Sequence, residues 1–173
     1  MVEMNQPVTK GNIMRFVNHT KMPDDLLKEI IRFACPAGVS GFDITFKNSA
    51  SGYKGRAYTQ GSHYHGQSML RKGAKSKGGK WQSSIPYVVI GCSKLRAERK
   101  WTRPYKFVEH GAYLGNVVFS NVEAIVDLVA HELRHLWQAR VKRGYRVWGA
   151  RGQFSERDAD AYALRIVRAW RRR

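Results

Sequence analysis

The stretch that decides the reading is Ser120-Asn121-Val122-Glu123-Ala124-Ile125-Val126-Asp127-Leu128-Val129-Ala130-His131-Glu132-Leu133-Arg134-His135-Leu136-Trp137-Gln138-Ala139-Arg140-Val141-Lys142-Arg143-Gly144. It opens on Ser120 and Glu123, the S/T-x-x-E pattern in which two side chains satisfy the first unpaired amides of a helix. Apolar residues then recur at Ile125, Val126, Val129, Leu133, Leu136 and Trp137, the spacing of one buried helical face. Arg140, Lys142 and Arg143 suit the negative end of a helix dipole, and Gly144 is able to terminate it. The pattern predicts a helix over about 121–143.

Within that helix, His131 and His135 stand four residues apart. They point within roughly 40° of each other, one turn apart, so both rings reach one metal ion. Glu132 sits beside them, placed to contact a metal-bound water without being a ligand. This is the H-E-x-x-H zinc pattern. A catalytic zinc takes three protein ligands and keeps one position open. No histidine follows His135, and the downstream carboxylates are Glu156, Asp158 and Asp160. Glu156 and Asp160 share a helical face, whereas Asp158 points roughly 160° from Glu156. The simplest assignment makes Glu156 the third ligand and lets Asp160 accept a hydrogen bond from the free ring N–H of a ligand histidine, fixing its tautomer. Asp160 as ligand, with Glu156 capping the helix, is the alternative. Asp127, four residues before His131, reads either as a ligand-orienting acid or as an exposed helix acid.

Outward from this core, Ser155 and Asp158 suggest a second capping box, opening a last helix that runs to about Trp170 with a basic tail, Arg171-Arg172-Arg173. Upstream, Pro23-Asp24-Asp25 begins a helix carrying Leu26, Leu27, Ile30, Ile31 and Ala34, stopped by Pro36 and Gly38. Phe42–Phe46 alternates as a half-buried strand. Arg56–Gln60, Pro86–Cys92 and Gly115–Phe119 are further strand candidates. Residues 66–80, rich in Gly, Ser and Lys, read as a mobile basic loop. Residues 1–21 show no clear periodicity and read as a flexible arm preceding a single domain over 22–173. The fold class expected is α+β: an N-terminal helix, a small mixed sheet, the active-site helix and a C-terminal ligand-bearing helix.

The chain has 173 residues, with 31 Lys+Arg against 13 Asp+Glu and a net charge of +18. Residues 1–60 carry only +3 of it, so the basicity belongs to 61–173. Such a surface attracts polyanions. The basic segments with interleaved Trp81, Trp101 and Tyr105 point to non-specific nucleic-acid contacts by Arg71, Lys72, Lys75, Lys77, Lys80, Arg99, Lys100 and Arg103. No apolar run approaches the ~20 residues of a membrane span. The start lacks a signal-peptide core, and Cys35 and Cys92 make no disulfide framework, so a cytoplasmic setting is expected. Nothing in the sequence fixes the oligomeric state.

His131-Glu132-Leu133-Arg134-His135, followed by Glu156 and then Asp160, resembles the gluzincin branch of the zincin metallopeptidases. The resemblance covers about 120–170. It implies a zinc endopeptidase with one Zn2+ per chain, a protein or peptide substrate, His131, His135 and Glu156 as ligands, Glu132 as general base toward a zinc-activated water, and Asp160 supporting a histidine. Two departures stand out. Ser155 replaces the familiar Asn before the ligand glutamate, and no downstream histidine exists to stabilise an oxyanion; Tyr145, Arg146 or Tyr162 would have to serve, with Tyr145 the assigned candidate. A looser likeness, in size and charge, is to the compact SprT-like proteases, which cleave proteins on DNA.

Other readings compete. A basic nucleic-acid-binding module with a structural or inactive zinc site is one. A zinc hydrolase of a non-peptide amide is another: Cys92 lies 39 residues before His131, and peptide deformylases pair a cysteine with the two motif histidines. The default for Cys92 is a buried strand thiol. His63 and His65 could face one way on a strand, but the flanking Gly61 and Gly66 favour a turn. Gly115–Phe119, leading into the active-site helix, is the strand expected to pair with a peptide substrate.

Overall fold

The computed structural model describes residues 13–58, 63–64, 76–77, 80–82, 85–93, 97–101, 115–141 and 153–173. Among these lie nine strands and three helices, forming a small α+β fold. Its centre is a four-stranded mixed sheet in the order β1-β2-β7-β3, from β1 (Ile13–Asn18), β2 (Phe42–Asn48), β7 (Tyr87–Cys92) and β3 (Lys54–Tyr58). β1, β2 and β7 run parallel, and β3 pairs antiparallel with β7 at the edge. The other strands form two small sheets. One holds β4 (His63–Tyr64), β6 (Lys80–Gln82) and β5 (Ser76–Lys77); the other pairs β8 (Ala97–Trp101) with β9 (Gly115–Phe119).

The helices follow from their sequences. α1 (Asp24–Ala34) buries Leu27, Ile30, Ile31 and Ala34, and carries Asp24 and Asp25 in its first turn, where carboxylates meet the positive end of the dipole. Parallel neighbours need a crossover, and α1 supplies it between β1 and β2. α2 (Asn121–Val141) is capped as its sequence predicts. Ser120 N–H donates to Glu123 Oε2 at 2.7 Å, and Glu123 N–H donates to Ser120 Oγ at 3.2 Å. α3 (Gln153–Trp170) packs along α2. It begins two residues before Ser155, so Ser155 lies inside the first turn and is not the cap.

One core joins sheet and helices. Ile44, Phe46, Val88 and Ile90 meet Leu27 and Ile30 of α1, Ile125, Val126, Val129 and Leu133 of α2, and Ala163 and Val167 of α3. Each large apolar side chain in it contributes about 1.5–3 kcal/mol by leaving water. Polar ties lock the helix ends around this core. Tyr162 Oη donates to Ala34 O at 3.0 Å, satisfying a carbonyl that the end of α1 leaves unpaired. Arg140 donates to Gly38 O at 2.8 Å and to Ser40 O. Gly38, at φ +82°, gives that turn a left-handed conformation that side chains disfavour.

Several expectations are corrected. The arm read over 1–21 gives way at Ile13, where β1 adds to the sheet; residues 1–12 lie outside the described part. The basic loop over 66–80 contains β5 and the start of β6, and His63 lies on a strand rather than a turn. β8, with three charged residues among five, was hidden by its composition. No helix among the described residues is long and apolar enough to cross a membrane.

Candidate metal centre

α2 and α3 bring His131, His135 and Glu156 to one point. His131 Nε2 lies 3.3 Å from Glu156 Oε2, His135 Nε2 lies 3.3 Å from Glu156 Oε1, and the two Nε2 atoms are 3.0 Å apart. A tetrahedral zinc with bonds near 2.0–2.1 Å spaces its ligands about 3.3 Å apart. The two Nε2 atoms and the Glu156 carboxylate therefore stand near that spacing, with a different carboxylate oxygen approaching each histidine. This is a group able to hold a metal ion. The chemistry of the donors agrees: two imidazole lone pairs facing each other across 3.0 Å need a proton or a cation between them.

Burial and partners shape each of the three groups. The side chains of His131 and His135 are 8% and 19% exposed, and that of Glu156 is 55% exposed, so the site is walled by the helices and open beside Glu156. His131 Nδ1 lies 3.0 Å from Asp160 Oδ1. Because a carboxylate only accepts, the proton sits on Nδ1 and Nε2 faces the site. Burial would lower the His131 pKa, but the bonds to Asp160 and Glu156 and the Glu132 charge outweigh it and carry it to about 9. His135 also moves up, against the pull of burial, mainly through Glu156. Hydrogen bonds from the two histidines hold the Glu156 carboxyl far below the usual carboxylate range.

Glu132 is buried at 6% exposure and lies against the edge strand. A Cβ at Gly55 of β3 would stand 2.5 Å from Glu132 Oε1, 2.7 Å from its Cγ and 2.9 Å from its Cδ. Only glycine leaves room for this carboxylate. β3 is thus a strand that lies against Glu132.

Sequence reasoning did not find the contacts of Asp158. Its position on the helical wheel suggested that it faces away from the site. In the structure the long Arg134 side chain reaches it, with Nε and Nη2 donating to Oδ2 and Oδ1 at 2.6 and 3.0 Å. Gln138 Nε2 donates to Asp158 Oδ2 at 2.8 Å, and Gln138 Oε1 lies 2.9 Å from His135 Nδ1. Burial would raise the Asp158 carboxyl, yet the bonds from Arg134 and Gln138 keep it below its ordinary value. The spacing of Gln138, three residues after His135 and seven after His131, was the signal available in the sequence.

Other candidates fall elsewhere. Asp127 is buried, not an exposed helix acid. Tyr162 uses its hydroxyl on Ala34 O, and burial pushes its pKa to about 12, so it does not serve the metal group. Cys92 is a buried strand thiol, pushed up to about 11 by burial, and is not in the ligand group. Lys77, Lys80, Arg99 and Lys100 lie on β5, β6 and β8. Arg71, Lys72, Lys75, Arg103, Tyr145, Arg146 and His65 lie outside the described residues. Comparisons of the chain with protein-family models, with curated proteins and with solved structures found no match in any of the three.

Proposed function

We propose that the chain is a zinc-dependent endopeptidase with a zincin-like arrangement, His131, His135 and Glu156 holding the metal and Glu132 acting as general base. The observation that carries this reading is the convergence of the two Nε2 atoms, 3.0 Å apart, on the Glu156 carboxylate, whose two oxygens each lie 3.3 Å from one of them, with a buried carboxylate on the neighbouring residue. Three ligands with an open flank suit catalysis better than a closed structural site. When bound, zinc supplies Lewis-acid polarisation of a carbonyl and lowers the pKa of water to about 7.

The chain's own groups do the rest. Asp160 keeps the proton of His131 on Nδ1, so Nε2 remains a ligand. The walls formed by α2 and α3 keep water from most of the site. Hydrolysis adds one water across the peptide bond: its oxygen bonds to the carbonyl carbon and the C–N bond breaks. Glu132 takes a proton from the attacking water and delivers it to the leaving nitrogen. The edge strand β3 lies beside Glu132, where an extended peptide would add as a further strand. The test compares zinc-loaded wild type with Glu132→Gln on an unfolded protein such as casein, following new amino termini. Hydrolysis by wild type and its loss in a variant that keeps zinc is expected. Wild-type rates in Glu132→Gln would refute the mechanism.

A second activity is favoured by charge. Arg165, Arg168 and Arg172, spaced three and four residues apart, are exposed along one side of α3 and its end, on a chain of net charge +18. Non-specific nucleic-acid binding through such a surface would fall steeply with salt. Binding unchanged between low and high salt would exclude it.

A further inference from the structure

We propose that Gln138, oriented by Asp158, is the residue that fixes the tautomer of His135 and aims its Nε2 at the metal. This inference rests on the metal-site reading and names a part of it that the sequence motif does not contain. Gln138 is 4% exposed, beneath the site on α2. An amide has two faces of opposite character, an accepting oxygen and a donating nitrogen. Which one meets His135 decides which ring nitrogen carries the proton.

Asp158 makes that choice. Its carboxylate accepts only, so it takes the Gln138 Nε2 end at 2.8 Å. The Oε1 end is then left facing His135 Nδ1 at 2.9 Å. An oxygen there requires Nδ1 to be the donor, which leaves Nε2 to offer its lone pair to a metal. Reversing the amide would place its oxygen against the Asp158 carboxylate, two acceptors facing each other.

Asp158 is itself held. The Arg134 fork grips both of its oxygens, and the guanidinium carbon lies 3.7 Å from the Trp137 ring centroid and 5.2 Å from that of Tyr162. The two histidines are thus set by different devices: a carboxylate, Asp160, directly on His131, and an amide relayed from a carboxylate on His135. Arg134, at a variable position of the motif, becomes the anchor of the relay. Gln138 is a positioning residue, since it touches a ligand and not the metal.

The test uses the full chain, Gln138→Met and Asp158→Asn, with zinc alone as the probe. Methionine keeps the length and helix preference of glutamine and removes the acceptor. Zinc affinity, measured by competition with a chromophoric chelator, is expected to fall roughly 10–100-fold in Gln138→Met. Asp158→Asn is expected to fall by a smaller factor. A residue that only staples α2 to α3 would lower the melting temperature of the metal-free protein and leave zinc affinity unchanged. That result would overturn the proposal. Nitrogen-15 NMR of the histidines in the zinc-loaded wild type gives an independent reading. His135 is expected with its proton on Nδ1 and Nε2 on zinc, and this preference is expected to weaken in Gln138→Met. Zinc on Nδ1 with the proton on Nε2 in the wild type would overturn the proposal. Absence of zinc binding by the wild type would overturn the metal-site reading and this proposal with it, whereas zinc bound at full affinity by Gln138→Met overturns the proposal alone.

Discussion

Gly55→Ala adds a single methyl group to the strand that touches Glu132. In the present geometry that carbon would stand 2.5 Å from Glu132 Oε1 and 2.7 Å from its Cγ. Carbon contacts settle near 3.5–4.0 Å, so the glutamate has to retreat by about 1 Å. The strand is held by pairing with β7, Gly55 opposite Ile90, and the glutamate is the softer partner. A displacement of that size at a proton-transfer group costs about 10²-fold in rate, or about 2.7 kcal/mol of transition-state stabilisation. The three heavy atoms nearest the new methyl all belong to Glu132, and none to His131, His135 or Glu156. The assay is kcat/KM for peptide hydrolysis together with zinc content. A fall of about two orders of magnitude at full zinc content is expected. Unchanged kcat/KM with zinc retained would refute the claim that Gly55 makes room for the base.

Three further predictions follow from the same contacts. Ser120→Ala removes the hydroxyl half of the α2 capping box and is expected to cost about 1 kcal/mol, measured by denaturant unfolding; no change would mean the box adds nothing here. In the metal-free protein the His131 pKa stands near 9, above its ordinary 6.5, so its contribution to stability is complete below about pH 6.5 and is lost as pH rises through 9. The depressed Glu156 pKa contributes above the usual carboxylate range and is lost on acidification. The metal-free melting temperature is therefore expected to fall from pH 7 to pH 10, while zinc, which requires neutral rings, is expected to offset that fall; a metal-free protein equally stable at both would contradict the ion-pair geometry. Asp160→Asn, which leaves His131 Nδ1 a less basic partner, is expected to weaken zinc binding roughly 10-fold, as seen by chelator competition.

What could be read from the chain divides along physical lines. Helix α2 was legible because its signals are local: a capping pair three residues apart, an apolar face at helical spacing, and two histidines one turn apart. The third donor was legible because few carboxylates remain downstream and Glu156 and Asp160 share a face. The Asp158 relay was not, because it depends on how α3 lies across α2 and on the reach of Arg134 over a separation of 24 residues. Gly55 gave no signal, since a missing side chain matters only once its neighbour is known. β1 escaped because an edge strand with exposed Met14 lacks clean alternation. β8 escaped because its charged residues resemble a basic loop.

The most direct test of the central claim is zinc per chain by elemental analysis, for wild type and Glu156→Ala prepared in parallel. About one zinc ion per wild-type chain is expected, as three protein ligands and an open position require, and clear loss in the variant. No zinc in the wild type after reconstitution, or full retention in Glu156→Ala, would contradict it.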